Sequence, residues 1–486
     1  MNEKKTVSIT IDGKKVDAPV DQPILATALD EGIDIPYFCY HKDLRPDGNC
    51  RMCLVDIEKT RRPTISCMTY PTEGMIVHTK TDKVKAMQKA VLEMVLVNHP
   101  LDCPICDKVG ECQLQANYFQ YSGEPSHFLN PHAKVRAPKL EKFSDRIIFD
   151  SERCIKCSRC VRFSTDVSQS HGLGLVNRGV HSTVAPSGGE YVDQYSDCVI
   201  DICPVGALTS TTFRFQARVY TLQKTESVCT FCARGCNTNI EHKLNKIYRI
   251  TPRRNEDVNK SWMCNAGRDF APYWNRERLH TARSKNKEIS YEQSLIECKD
   301  IVRDYAMKKP VGKALAIAST FGSNEEIASF VSLFRMISGV DIYFKTDSIL
   351  YQKEYPHDDV LIRDDKNPNR YTLEKIHQLK EITDTHDGAF DLLVVWGEGL
   401  KNSLKEKHEE FLKKAKRKIL FTPFIDETMS MYDLVIPTLT FIEKNGTYTN
   451  FEGKTSRFNR ALSLYHHIQD EAMIFEDFKN TVKNLA

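Results

Sequence analysis

The chain has 486 residues, 68 Lys and Arg against 65 Asp and Glu, and 41% apolar residues. That is length for about three or four domains with packed cores, and a net charge of +3 gives no electrostatic case for nucleic acid. Sixteen of the 17 cysteines lie between Cys39 and Cys264, the last being Cys298, and many fall in C-x2-C pairs in a chain too long for a secreted disulfide scaffold. They read as metal ligands kept reduced in a cytosol-like compartment. The opening residues have no apolar core or small-residue cleavage site, so no signal peptide is expected. No apolar run approaches the roughly 20 residues of a membrane span, so any work at a membrane is expected to run through docking to another protein.

Residues 7–19 alternate apolar and polar around Asp12-Gly13, a hairpin signal. Asp21 is placed to cap a helix over Ile24–Glu31, with Gly32 to end it. The first cysteine quartet follows: Cys39, Cys50, Cys53 and Cys67, spaced C-x10-C-x2-C-x13-C. A hairpin, a helix and a cysteine loop suit a β-grasp ferredoxin with a [2Fe–2S] cluster over residues 1–81. The first gap is longer than the plant-type spacing, and Gly48 gives that loop backbone freedom. A zinc knuckle is the rival reading.

Residues 82–98 read as a helix capped by Asp82, with Val84, Met87, Val91, Met94 and Val95 as its apolar positions. Pro100 disfavours helical geometry at His99. From there runs H-x3-C-x2-C-x5-C: His99, Cys103, Cys106 and Cys112. Thiolates select zinc, copper(I) or iron–sulfur groups, and imidazole suits zinc and iron alike. The neighbouring quartets favour a [4Fe–4S] cluster over zinc. A neutral imidazole in place of one thiolate raises its expected potential above that of an all-cysteine site. This region spans 82–140, and residues 121–141 read as a connector.

In residues 141–220, Cys154, Cys157 and Cys160 are followed at C-x3 by Ser164, where a two-cluster ferredoxin would have a cysteine. Counting back from Cys203-Pro204 gives Val199, Ser196 and Asp193 at the other ligand positions. One site of that design is lost. The surviving [4Fe–4S] cluster takes Cys154, Cys157, Cys160 and the remote Cys203. Cys198, one residue out of step, reads as a buried thiol, with substitution as a ligand as its alternative. The fourth quartet, in residues 221–286, is Cys229, Cys232, Cys236 and Cys264. It fits a further [4Fe–4S] site, and zinc is its stronger rival because C-x2-C with a distant partner is zinc-like. Short strands are expected around Ile240 and over Lys246–Pro252. Arg51, Lys156, Arg159, Arg162 and Arg234 stand beside ligands in sequence; they are either counter-charges to the clusters or surface cations.

Beyond Lys287 cysteine nearly vanishes, and an α/β domain is expected over 287–486. Ala314–Ser319 and Asp391–Val395 read as buried parallel strands, Asn324–Ile337 as a helix, Leu404–Ile419 as a charged helix, and Cys298 as a core residue. Gly172-Leu-Gly174 lacks the dinucleotide spacing, Gly453-Lys454-Thr455 has Tyr448 where a phosphate loop needs glycine, and His408-Glu409 is followed by Leu412 instead of a second zinc-binding histidine.

The ordered quartets resemble the 75-kDa iron–sulfur subunit family (the bacterial G subunit) of NADH:quinone oxidoreductase, respiratory complex I, over residues 1–270. The resemblance implies an α+β and α/β multidomain chain with one [2Fe–2S] cluster on Cys39, Cys50, Cys53 and Cys67. It implies three [4Fe–4S] clusters: on His99, Cys103, Cys106 and Cys112; on Cys154, Cys157, Cys160 and Cys203; and on Cys229, Cys232, Cys236 and Cys264, the last lying off the main path. Asp433-Leu-Val-Ile-Pro437 and Glu443–Gly453 are similar to the molybdopterin-oxidoreductase superfamily. The chain's ending soon afterwards, and Asn265-Ala266-Gly267-Arg268 after Cys264 where molybdenum enzymes tend to carry lysine, imply a truncated domain of that type without molybdopterin. The implied role is electron relay in a hetero-oligomer with a flavin-bearing NADH dehydrogenase subunit and other peripheral-arm subunits. It implies no independent active site, no nucleic acid and no direct membrane insertion, with a peripheral location on the cytoplasmic side of the bacterial inner membrane. Rival readings are the same relay in an NAD-linked hydrogenase or formate dehydrogenase, a zinc-bearing interaction scaffold, and a molybdenum enzyme.

Overall fold

The computed structural model describes residues 5–484 except 124, 129, 131–133, 270–275, 308–312, 347–354 and 384–387. It divides into two units, Met1–Leu222 and Gln223–Ala486. Among the described residues no helix is long and apolar enough to cross a membrane.

The first unit opens with β1 (Thr6–Ile11) and β2 (Lys14–Pro19), antiparallel with Ile11 opposite Lys14. Asp12 and Gly13 both take positive φ, the two-residue turn whose twist matches the hairpin. Ile9 and Ile11 face inward at period two. With β3 (Leu54–Ile57), β4 (Thr64–Ile65) and β5 (Ile76–His78) the sheet runs β2-β1-β5-β3-β4, and β1 and β5 are parallel. Helix α1 (Ile24–Asp30) buries Ile24, Leu25 and Ala28 in the same core as Ile9, Ile11 and Val55, as a β-grasp fold requires. Pro23, not Asp21, stands at its N-cap, and no side chain caps it. Gly32 ends it at φ +73°.

Helix α2 (Asp82–Asn98) is capped by Thr81, whose hydroxyl accepts from the Val84 amide; Asp82 is already inside the first turn. Its buried face is Val84, Gln88 and Leu92. Met87 and Met94 are exposed, because Gln88 turns inward to donate to the Leu54 carbonyl at 3.0 Å. Then come α3 (Gln113–Tyr121), β6 (Glu141–Lys142), β7 (Ile147–Phe149), α4 (Arg159–Asp166), β8 (Leu173–Val176), β9 (Thr183–Pro186), α5 (Cys198–Ile202) and β10 (Leu208–Ser210). Part of the expected connector 121–141 lies outside the described residues.

The second unit begins with an antiparallel sheet of β11 (Gln223–Val228), β12 (Asn237–Lys243) and β13 (Lys246–Pro252), covering both expected strand regions. After α6 (Asn265–Asp269), the hairpin β14 (Ala282–Ser284) and β15 (Lys287–Ile289) spans the expected 286/287 boundary and joins the large sheet. Then follow α7 (Tyr291–Met307), β16 (Lys313–Ser319), α8 (Asn324–Arg335), β17 (Val340–Lys345), β18 (Lys380–Glu381), β19 (Phe390–Trp396), α9 (Lys401–Leu404), α10 (His408–Lys413), β20 (Ala415–Thr422), β21 (Leu434–Pro437), β22 (Gly446–Thr449), β23 (Thr455–Phe458) and α11 (Glu471–Lys483). Cys298 is core on α7.

The expected helix Leu404–Ile419 is a correction. Lys405 adopts φ +51°, the helical part ends at Lys413, and Ile419–Thr422 is buried as the inner half of β20. The sheet runs β15-β14-β21-β20-β19-β16-β17-β18, and β16 to β21 are mutually parallel in the doubly wound order with a reversal between β16 and β19. Both faces are covered. Ala314, Ala316 and Ala318 enter one core and Leu315 and Ile317 the other, which is why these strands read as unbroken apolar runs.

Candidate metal centres

Cys39 lies in the loop after α1, Cys50 and Cys53 precede β3, and Cys67 sits in the 3-10 turn Ser66–Met68 beyond β4. The Cys39 amide donates to the Cys50 sulfur at 3.4 Å. Hydrogen bonds from Cys50 and then Cys67 draw the Cys39 thiol down to about 2. Cys67 is pushed up by sharing its proton with Cys39 and Cys53, and Cys53 is lowered through Cys67. The chain of contacts Cys50–Cys39–Cys67–Cys53 brings all four expected sulfurs together.

His99 is the C-cap of α2 with extended backbone, as Pro100 dictates, and its carbonyl accepts from Lys134 Nζ at 2.8 Å. Burial, then Arg153 and Lys134, hold the imidazole down at about 4. Its Nδ1 is buried without a hydrogen-bond partner. A neutral ring with an unanswered polar atom is the state in which histidine ligates a metal. Cys103 opens a 3-10 turn, Cys106 follows it, and Cys112 is the N-cap of α3. Cys106 is buried, Cys112 half-buried and Cys103 exposed.

Cys154 and Cys157 lie in a loop where Lys156 and Ser158 take positive φ and the Lys156 amide donates to the Cys154 sulfur at 3.4 Å. Cys160 is in the first turn of α4, and Cys203 is the C-cap of α5. Burial raises Cys154 to about 12 and Cys157 to about 11, Arg159 opposing the latter, and raises Cys160 further; the negative charges of Cys157, Cys154 and Cys203 add to the rise at Cys160. Ser164 is buried and donates to the Val161 carbonyl at 3.0 Å. Asp193 accepts from Ser168 at 2.5 Å, Ser170 at 2.7 Å, Tyr191 at 2.9 Å and the Tyr195 amide at 2.7 Å. The lost ligand positions have become a hydrogen-bonded structural corner. Cys198 is fully buried in the first turn of α5.

In the second unit the Cys229 amide donates to the Cys236 carbonyl at 2.7 Å. Burial raises Cys229 to about 12 and raises Cys232, Cys236 and Cys264 as well. Gly267 leaves no room for a Cβ, which would stand 2.8 Å from the Cys229 sulfur and 3.8 Å from that of Cys264. Thiols held protonated by burial lose those protons to a metal. Converging thiols in all four regions, and a neutral buried imidazole at His99, therefore have the chemistry that iron–sulfur groups need.

The three sets of the first unit are stitched together. Arg162 Nη2 donates to the Cys39 carbonyl at 2.5 Å and to the Cys157 carbonyl at 3.3 Å. Asn49 donates to the Lys156 carbonyl at 3.3 Å, and Ser158 to Asp47 at 2.5 Å. The Gln113 amide, next to Cys112, donates to the Pro204 carbonyl, next to Cys203, at 2.9 Å. Arg159 donates to the Ile202 carbonyl and to Gln113 Oε1, each at 3.0 Å. Asp102, between His99 and Cys103, takes two bonds from Arg153 at 2.8 and 3.0 Å and one from Lys139 at 2.9 Å. Burial alone would raise its carboxyl; Lys139 and Arg153 hold it below the usual range. Of the flagged cations, Arg159 and Arg162 are buried and Arg51 is exposed. Spacing in sequence showed neither these crossings nor the Asp102–Arg153 pair.

The carboxyl edge of the large sheet is where open α/β folds take ligands. There, beside Ser319, Trp396, Glu398, Lys444 and Glu471, a cavity of about 40 Å³ remains, room for about one water. The Trp396 ring fills the space over Gly322.

Family models match in the same order as the ligand sets. They are a 2Fe-2S iron-sulfur cluster binding domain over residues 4–82, and the NADH-ubiquinone oxidoreductase-G iron-sulfur binding region over 88–126. The ferredoxin-like domain of NADH-quinone oxidoreductase subunit 3 follows over 144–209, and the NDSU1/NuoG-like 4Fe-4S domain over 222–271. The chain is 34% identical over 336 residues to the G subunit of the NADH-quinone oxidoreductase of Rickettsia conorii, covering 68% of this chain and 49% of that one. It is 35% identical over 351 residues to the NADH-ubiquinone oxidoreductase 75 kDa subunit of Reclinomonas americana, covering 71% and 50%. The chain thus spans about half the length of these relatives. A chain of an NAD+-reducing [NiFe]-hydrogenase structure aligns with TM-score 0.39 and 27% identity over 44% of this chain and 91% of that chain.

Proposed function

We propose, from the premise that the iron–sulfur part of this chain belongs to the 75 kDa (bacterial G subunit) family of NADH-quinone oxidoreductase, that the chain is an electron-relay subunit of such a complex. It carries single electrons from a flavin-bearing NADH dehydrogenase partner toward quinone held elsewhere. Cys39, Cys50, Cys53 and Cys67 hold a [2Fe–2S] cluster. His99, Cys103, Cys106 and Cys112 hold one [4Fe–4S] cluster, Cys154, Cys157, Cys160 and Cys203 a second, and Cys229, Cys232, Cys236 and Cys264 a third, off the path. These groups supply one-electron acceptors; the protein contributes ligand type, burial and charge, and no acid–base step.

The observation that carries the reading is the contiguity of the ligand sets in the first unit. The third set touches the first through Arg162 and the second through Gln113 and Pro204, which supports passage in the order first, third, second. Cys50 and Cys154 both line one cavity of about 630 Å³, an access point for the donor side. At the other end Cys103 is exposed beside Leu101, 95% exposed, and Ile105, 57% exposed, a face suited to the accepting subunit. The complex is a hetero-oligomer at the cytoplasmic side of the bacterial inner membrane. The second unit, with its small carboxyl-edge cavity, serves as a scaffold of molybdopterin-oxidoreductase type without molybdopterin.

The test is anaerobic purification followed by iron and acid-labile sulfide analysis and electron paramagnetic resonance of the reduced chain. One [2Fe–2S] and three [4Fe–4S] signals, with quinone-reducing subunits co-purifying, are the expected result. Zinc in place of iron and sulfide overturns the reading.

A further inference from the structure

Helix α4 carries two buried arginines one turn apart, and each reaches across a different junction. Arg162 is 5% exposed. Its guanidinium donates to Ser158 Oγ at 3.2 Å, to the Arg45 carbonyl, and to the carbonyls of Cys39 and Cys157. Arg159 is 6% exposed and donates to the Ile202 carbonyl and Gln113 Oε1, residues adjoining Cys203 and Cys112, and its Nε is buried without a partner. Every oxygen that accepts from these two side chains is neutral. A buried guanidinium without a carboxylate is costly unless negative charge lies close by. On the relay reading that charge comes from thiolate-ligated centres held by the cysteines on either side.

We propose that Arg162 and Arg159 are the positioning residues of the two crossings, each a single cation shared by two redox centres, raising the potential of both and fixing their separation. Arg162 serves the first and third ligand sets; Arg159 bridges the third and second by hydrogen bonds and also feels Cys39 of the first. The inference rests on the relay reading above. One electron leaves one centre and reduces the next, with no bond made or proton moved. The reduced state carries one more negative charge, so a nearby cation stabilises it and raises the midpoint potential.

The test uses the full chain, prepared anaerobically with its clusters, and redox titration followed by electron paramagnetic resonance. Arg162→Gln lowers the midpoints of the first and third centres and spares the second. Arg159→Gln lowers those of the third and second, and the first by less, because Cys39 also lies within its electrostatic reach. Arg162→Lys and Arg159→Lys keep the charge without the planar fork; they hold the midpoints but weaken the magnetic interaction across their own junction. Midpoints that stay put in both glutamine variants, or the same pattern of shifts in the two variants, overturn the proposal. Should a glutamine variant lose its iron, the lysine variant decides: unchanged magnetic interaction overturns the proposal. Wild-type chain without iron–sulfur signals sinks the relay reading itself, whereas normal signals with unshifted midpoints sink only this inference.

Discussion

The Cys106 sulfur occupies the space into which a side chain on Gly206 would project. Gly206 follows Cys203-Pro204-Val205, so a glycine of the third ligand set forms the wall of the second. Gly206→Ala cannot be absorbed by a flexible side chain, because in the proposed ligand set the Cys106 sulfur is tied to a cluster. The variant is expected to lose the His99-containing cluster while the first [2Fe–2S] cluster survives. Iron analysis with paramagnetic resonance checks this, and a full complement of signals would show that Cys106 is free to move.

Lys444 is buried between Glu326 and Glu471, with Glu471 at 3.2 Å. Burial opposes its charge, but Glu326 and then Glu471 raise the ammonium above its usual range. Glu326 also accepts from the Ser323 amide at 2.7 Å in the capping box of α8, so this ion network and the helix start are one structure. Lys444→Met leaves two buried carboxyls without their cation and is expected to cost about 3–5 kcal/mol. Denaturation midpoints measure it. Adding Glu471→Gln should recover part of the loss, and no recovery would mean that repacking dominates.

The cysteine spacings pointed to where thiols converge, because C-x2-C and a proline after histidine are short-range constraints. Binary patterning likewise announced β16 and β19, whose two-sided burial leaves an uninterrupted apolar run. It misassigned Ala415–Ile419, where the exposed Lys416 and Arg417 continue the helix-like charge pattern and hide the start of a buried strand. On α2 it placed Val84 inside correctly but Met87 and Met94 wrongly, since Gln88 is drawn inward by a long-range bond to the Leu54 carbonyl. Arg162 stood out only as a cation beside a ligand; its crossing, and the roles of Gly206 and Trp396, could not be read from the chain. Their roles depend on residues 123, 100 and 74 positions away.

Lys345 ends β17 fully buried, and burial pushes its ammonium down to about 7 although Glu398 and Asp426 oppose this. An unfolded lysine titrates near 10.4 (roughly). Between those values the unfolded chain holds a proton that the folded chain has released. Stability therefore rises with pH from about 7 to about 10.4, and this group adds no slope below 7. Urea unfolding at pH 7 and pH 9 should show wild type gaining about 2–3 kcal/mol over Lys345→Met between the two. Parallel curves would mean that the buried amine keeps its charge.

His99 offers the sharpest test of ligand identity. Its ring is neutral through burial and through the nearby Arg153 and Lys134, and its Nδ1 has no protein partner. His99→Cys replaces a neutral donor with a thiolate at the same point of the chain. The cluster then carries one more negative charge in both oxidation states, and the added electron becomes harder to hold. The variant should keep its iron and show a lower midpoint at this centre alone, the others serving as internal references. His99→Ala distinguishes ligation from simple proximity, because removing a ligand costs the cluster whereas removing a neighbour does not. A His99→Cys midpoint equal to wild type, with the cluster intact in His99→Ala, would place the fourth ligand elsewhere.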